Sequence, residues 1–494
     1  MESNRLSMVI DPNQTYYPES EGYFSPHILY PEYPFGDSEL SERPNGVYDD
    51  VRELLAISGY DGERFGEKDW NPLGDGIISP GDTVLIKPNW VCDKNKNKEA
   101  DLDCLVTNPS VVRAVIDYVV LALKGEGKII VADAPMQGCT LESLFVSIGY
   151  DKLFEFYKRQ GVDITVRDLR MYSVGHKYKG VTGEINYTDN SEGAVKINLG
   201  KQSLHSMCDN KNPEYRVEDY SKRETAAYHS AGNHIYSVSS TVLNANVIIN
   251  IPKPKTHRLA GITGAVKNFV GITYDKASLP HRTEGDNETG IGDAYYKRSI
   301  WKRWMSVFNE KRTITAKTGK YASAKMYDFL MKFCYVIGAT LSNDKYRIGS
   351  WYGNDTIWRT AVDLNNIVLH YDINGHYHEK AIRRVVSIGD MIVSGEKNGP
   401  VGPSPKPLGI LILSNNSLLF DLLVCGIMGF SDEKIPMFNN LNALGVFGYN
   451  SKKEMILSKI VSNSDYINGN LCDIDFPRGW RFEPHPCWKG HIEK

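Results

Sequence analysis

Short apolar runs alternate with longer amphipathic ones through most of the chain. Residues 83–87 and 128–132 read as buried strands, and residues 111–123 between them read as a helix that Asn108 caps and Pro109 begins. Strand, helix, strand is a βαβ unit with a right-handed crossover, which builds a parallel sheet. A helix over 140–160, interrupted at Gly149, and a strand over 162–169 follow, and the chain returns to the sheet over 242–250. The second half repeats this grammar. Helices are expected at 326–337 and 357–370, strands at 385–390 and 408–413, and a helix at 418–428.

Other stretches lack this regularity. Residues 1–75 are rich in Tyr, Pro, Glu and Gly, and Tyr30-Pro31-Glu32-Tyr33-Pro34 disfavours helix. They read as an extension wrapped over the body, with one helix at 47–58. Residues 170–240 turn to Gly, Tyr, Asn, Ser and Thr with short alternating pieces, the pattern of a β-rich insertion with hairpins. The basic aromatic segment 296–304 predicts an amphipathic helix that packs Trp301 and Trp304 on one face and leaves Lys302 and Arg303 solvated. Residues 478–494, rich in Trp, Pro and His, read as a cap. The expected architecture is α/β: two α/β domains with mainly parallel sheets. An extension over 1–75 precedes a first domain over 76–290, which carries the insertion, and a second over 291–494, with a ligand cleft between the two.

Composition narrows the function classes. A hydrophobic fraction of 41% supplies real cores, and a net charge of −3 gives no global electrostatic case for nucleic acid or an anionic membrane. The most apolar stretch, 408–430, is broken by Ser414-Asn415-Asn416 and Asp421, too interrupted to span a bilayer. No basic segment followed by an apolar run marks a secretory leader. Eight cysteines without a CxxC pair argue against a zinc ribbon or an iron–sulfur module and for a reducing compartment, so a cytoplasmic location is expected.

Candidate chemistry gathers after the apolar run Val247-Ile248-Ile249. Lys253, Lys255 and His257 come first, then Lys267 and Asn268 among Gly261, Gly264 and Gly271, then His281 and Arg282. Cations, donors and glycines just past a strand suit an anion or cofactor site at the carboxyl edge of an α/β sheet. His257, Lys267 and His281 are the catalytic candidates: histidine moves protons near neutral pH, and lysine clamps an anion or serves as an amine nucleophile. Lys87, Asn89 and Asp133 lie at two other strand ends, and with Lys253, Lys255, Thr263 and Asn268 they form the expected binding set. Asp390, Glu396 and Asp421 could ligate a divalent metal or pair with these lysines. The spacing is not that of a Walker A loop, and no GxSxG elbow is present. The leading expectation is an enzyme for a small anionic or phosphorylated ligand. The alternative is a non-catalytic binding or scaffold protein for an anionic glycan or nucleotide.

The segments GDTVLIKPNW, TNPSVVRAVIDYVV, KIIVADAP, NANVIINIPKPKTHRLAGITGAVKNFVG and GDMIVSGEKNGPVGP, in this order, resemble the family called domain of unknown function 362, over roughly residues 80–435. Longer members of that kind resemble proteins of surface-polysaccharide biosynthesis. The KTH…GxTGAxKN motif is also distantly similar to the nickel-pincer lactate racemase family. That resemblance implies an acid/base role for His257, a cofactor-bearing role for Lys267, and a place for His281 near a nickel ligand. The racemases' other catalytic histidine follows the second strand, where this chain reads Asp133-Ala134-Pro135-Met136.

Overall fold

The computed structural model describes residues 4–175, 185–189, 192–341, 344–444 and 452–494. One sheet takes eleven strands: β1 (Leu6–Ile10), β2 (Thr83–Lys87), β3 (Lys128–Asp133), β4 (Ile164–Asp168), β5 (Val247–Asn250), β6 (Lys255–His257), β7 (Gly261–Thr263), β8 (Arg384–Asn398), β9 (Gly402–Ser414), β10 (Lys459–Ser462) and β11 (Gly469–Asn470). Their order is β11-β10-β1-β9-β8-β5-β2-β3-β4, with the β6–β7 hairpin attached to β8. From β8 to β4 neighbouring strands are parallel, while β9 is antiparallel to both β8 and β1. This is the expected α/β fold with a mainly parallel sheet. Strands from both halves of the chain, and one from the N-terminal extension, pair within it.

Among the helices are α1 (Gly46–Ile57), α2 (Pro109–Leu123), α3 (Leu141–Ile148), α4 (Tyr150–Arg159), α5 (Ala265–Asn268), α6 (Ile300–Lys317), α7 (Tyr321–Leu341), α8 (Ile357–His370) and α9 (Ser417–Ile427). They cover both sheet faces, which is why β2, β3 and β5 carry unbroken apolar runs at 84–86, 129–132 and 247–249. Val84, Ile86, Val131, Val247 and Ile249 pack into a core with α1, α2 and α4. The alternate residues Leu85, Ile130, Ala132 and Ile248 pack with Leu364, Ile367 and Val368 of α8. Asn108 caps α2 through Ser110 N–H, as its sequence implies. Gly149, at φ 90°, divides the expected long helix into α3 and α4.

Two differences from the sequence pattern have clear causes. Residues 385–390 suggest a short strand, yet β8 runs on to Asn398. Gly389 and Gly395 do not end it: a Cβ at Gly389 would lie 2.3 Å from the Phe420 ring, and one at Gly395 would lie 2.6 Å from the Cys104 carbonyl. These glycines mark close packing inside a strand. In β9, Pro403, Pro405 and Pro407 occur where the strand pairs with β8, while β1 pairs only with Ile410 to Ser414, so the missing N–H groups cost no hydrogen bonds to β1. The insertion carries β structure as expected, with Ala194–Asn198, Asn233–Ser239 and His229–Ser230 in one small sheet and Tyr172–Val174 paired with Ile185–Tyr187. Residues 176–184 and 190–191 of it lie outside the described residues. No helix among the described residues is long and apolar enough to cross a membrane.

The C-terminal segment packs against the β6–β7 turn. Trp488 is fully buried, donates its indole N–H to the Arg258 carbonyl at 2.9 Å, and lies against Gly261, whose φ of 78° suits glycine. Trp488→Ala should leave a cavity under the β6–β7 turn and lower unfolding free energy by about 3–5 kcal/mol, measured by chemical denaturation.

Candidate functional site

The parallel strands end in register, with Lys87 of β2 opposite Asn250 of β5 and Asn250 opposite Ser387 of β8. Polar groups past these ends therefore crowd together, and the backbone must satisfy them. Lys87 and Asp133 form a buried ion pair at 2.8 Å, and the other Asp133 oxygen accepts from Trp90 N–H. Burial outweighs the carboxylate and lowers the Lys87 ammonium. A Cβ at Gly271 would fall 2.0 Å from the Asp133 carboxylate and 2.8 Å from Lys87 Nζ, so this loop can cover the pair only as glycine.

A second set fixes the turn that carries Lys267. Lys255 donates to Asn89 Oδ1 at 2.7 Å, Asn89 donates to Asn268 Oδ1 at 2.8 Å, and Asn268 donates to Asn250 Oδ1 at 2.7 Å. Asn250 in turn donates to the Ala265 carbonyl at the start of α5. Each amide donates onward, so the row has one direction and no unmet acceptor within it. Burial and the nearby Lys253 lower Lys255 to about 7.

The three acids are not brought together. Asp390 pairs with Lys253 at 3.0 Å and accepts from Tyr17 and from Asn108 N–H. Glu396 accepts from Glu483 N–H. Asp421, on α9, accepts from the N–H groups of Ala265 and Val266 and so caps α5, and burial raises its carboxyl to about 7. Each carboxylate is satisfied by protein donors at a separate place, and no group of three or more His, Cys, Asp or Glu among the described residues could hold a metal. The sequence grouped these acids by type and loop position, which does not fix distance.

His257, Lys267 and His281 share one electrostatic environment. Burial, then the Arg258 guanidinium, lowers Lys267 to about 8. Burial, then the Lys267 charge, lowers His281 to about 3, and the same two causes hold His257 well below the ordinary histidine range. Lys267 Nζ has no hydrogen-bond or ion-pair partner among the described residues. Thr263 is buried beside this turn on β7, and its hydroxyl likewise lacks a partner there.

The two imidazoles are held in opposite tautomers. His257 Nδ1 accepts from the N–H groups of Leu259 and Ala260 at 3.0 and 3.1 Å, so its hydrogen sits on Nε2. His281 Nδ1 lies 2.6 Å from the Leu279 carbonyl, which can only accept, so this Nδ1 carries the hydrogen and Nε2 keeps its lone pair. One ring nitrogen can donate and the other can accept, and both rings feel the charge of Lys267, whose Nζ has no partner among the described residues.

Sequence reasoning missed several contributors. Arg258, paired with Glu218 at 2.6 Å, depresses Lys267 and His257. His485 of the C-terminal cap acts on His257 and is itself lowered to about 4 by burial and by Arg258. Arg282, which the sequence does place beside His281, is buried, and its Nε has no partner among the described residues. Glu218 and His485 come from the insertion and the cap, and nothing in their local sequence ties them to the Lys267 motif.

These residues lie past the ends of parallel strands in an α/β protein. The chain belongs to the family described as domain of unknown function (DUF362), whose profile matches residues 84–211 and 204–426. No curated protein and no solved structure matches the chain.

Gly264 tests the local geometry. A Cβ there would meet the Asp421 carboxylate at 2.0 Å. Gly264→Ala should displace the cap of α5 and lower the thermal midpoint by several degrees, consistent with about 1–3 kcal/mol for an orphaned buried carboxylate.

Proposed function

We propose that the protein is an enzyme that binds a small anionic ligand against Lys267 and moves a proton on it between His281 and His257. Opposite tautomers of two histidines in the field of a lysine without a partner among the described residues support this reading. His281 Nε2 is the acceptor, and His257 Nε2–H is the donor that stabilises developing negative charge. Burial, and after it the cations that would hold the ligand, depress both imidazoles. A bound anion offsets those charges and lifts His281 toward the range where a base works well. Lys255, Asn89, Asn268, Lys87 and Asp133 position the loop from beneath. A non-catalytic holder of an anionic glycan or nucleotide would use Lys267 in the same way but would have no use for the two free ring nitrogens.

A cofactor carried on Lys267, as the racemase resemblance implies, also suits an unpartnered amine near a bare imidazole nitrogen. Such a group would supply electron-accepting chemistry, with Lys267 as its attachment and His281 Nε2 as a ligand. Protein from its native host would then show a mass increase on Lys267 together with nickel, and an unmodified, metal-free protein that is active ends this version alone.

A thermal-shift screen with phosphate, sulfate and small carboxylates tests the site. The wild type should be stabilised by at least one of them and Lys267→Ala by none. The cationic lysine holds the anion, so affinity should be full below about pH 8 and fall about tenfold per pH unit above it, a break that Lys267→Arg removes. With the ligand so found, His281→Gln and His257→Gln should abolish turnover while retaining binding within a few fold. Equal stabilisation of wild type and Lys267→Ala would disprove the assignment.

A further inference from the structure

The helical hairpin α6–α7 departs in part from the burial expected of it: Arg303 is exposed as expected, but Lys302 and Trp304 exchange environments. Lys302 lies buried, beside Asp344 and donating to the Tyr346 carbonyl, while Trp304 is 48% exposed. The exposed apolar residues of α6 are Ile300, Trp304, Val307 and Ile314, at the spacing of one helix face. On α7, Met326, Phe329, Phe333 and Val336 repeat that spacing, with Phe329 68% and Val336 60% exposed. Aromatic contacts join the helices: Trp304 stacks on Phe308, Phe308 on Tyr327, and Trp301 meets Phe333 edge-on. Large apolar side chains in such a row on a soluble face mark an interaction surface.

Charge identifies what covers it. From Lys297 to Lys332 the chain has ten Lys and Arg against two acids, Glu310 and Asp328, within a chain whose net charge is −3. Both acids are paired, Glu310 with Arg216 and Asp328 with Arg312 and Lys332. Lys302, Arg312 and Lys317 pair with Asp344, Asp219 and Glu224, which leaves Lys297, Arg298, Arg303, Lys311 and Lys320 as an excess of cations without an ion pair among the described residues. A second copy of the hairpin would bring like charges together. An anionic lipid surface instead offers acyl chains to Trp304, Phe329 and Phe333 and headgroup phosphates to the surrounding cations, the pattern of helices that lie in the membrane interface.

We propose that the α6–α7 hairpin docks the protein on anionic phospholipid bilayers, lying in the interface without crossing it. This proposal is independent of the reading of the Lys267 site.

The test is co-sedimentation of the full chain with vesicles of phosphatidylcholine alone and with vesicles in which about a third of the lipid is phosphatidylglycerol. The wild type should pellet with the anionic vesicles only, and high salt should weaken the binding. Trp304→Ser combined with Phe329→Ser and Phe333→Ser should reduce the bound fraction about tenfold. These side chains are exposed or touch only one another's neighbours on the hairpin surface, so the circular dichroism spectrum should not change. Arg303→Glu with Lys320→Glu should weaken binding to anionic vesicles as well. Wild-type protein that stays in the supernatant with anionic vesicles at low salt overturns the proposal, whether or not it captures an acidic polypeptide or self-associates. Undiminished binding by the triple apolar variant, with its spectrum intact, also overturns it.

Discussion

The cost of burying ammonium groups sets the terms at the carboxyl edge of this sheet. Removing a cation from water costs several kcal/mol unless protein acceptors replace the lost solvation. Lys87 is answered by Asp133, Lys253 by Asp390 and Tyr17, Lys255 by Asn89 and the Leu105 carbonyl, and Lys276 by the Ala134 carbonyl. Those acceptors dictate where the loops run. The loops in turn approach so closely that Gly264 and Gly271 admit no side chain. Lys267 is the lysine of this edge without an acceptor among the described residues, which is why we read it as the contact for an outside anion.

Much of this was legible in the sequence, for identifiable reasons. The central strands are buried on both faces, so they appear as continuous apolar runs, and β2, β3 and β5 lie where those runs fall. Their register then brings Lys87 to Asp133, as expected for strand ends in one parallel sheet. The limits were also physical. β8 contains two glycines whose purpose is close approach to Phe420 and Cys104, and both resemble strand breakers when read one-dimensionally. β1 is five residues in front of a proline-rich stretch, and its role depends on partners around residues 410 and 461. The histidine tautomers depend on which backbone groups meet each Nδ1, and no spacing rule encodes that.

The insertion links the two surfaces described above. Arg216, Asp219 and Glu224 pair with Glu310, Arg312 and Lys317 of α6, while Glu218 in the same segment pairs with Arg258 beside Lys267. One short stretch therefore forms both the seat of the hairpin and a wall of the cation cluster. Surface ion pairs of this kind are individually weak, but in series they give the segment a defined position between the two.

The placement of β1 has a consequence for how the chain acquires its structure on the ribosome. Leu6 pairs with Ser414, and Met8 pairs with Ser462 on the other side. At elongation rates of about 5–20 residues per second, roughly 20–80 s separate the synthesis of this strand from that of its first partner. During that interval Leu6, Met8 and Val9 have no sheet to enter, and β9 and β10, once made, lack the strand that joins them. The β2–β3–β4 region can assemble early from contacts close in sequence, whereas the edge carrying β1 must close late, across the longest loops in the molecule. A nascent chain of this protein thus carries an unpaired apolar strand until nearly all of it has been made.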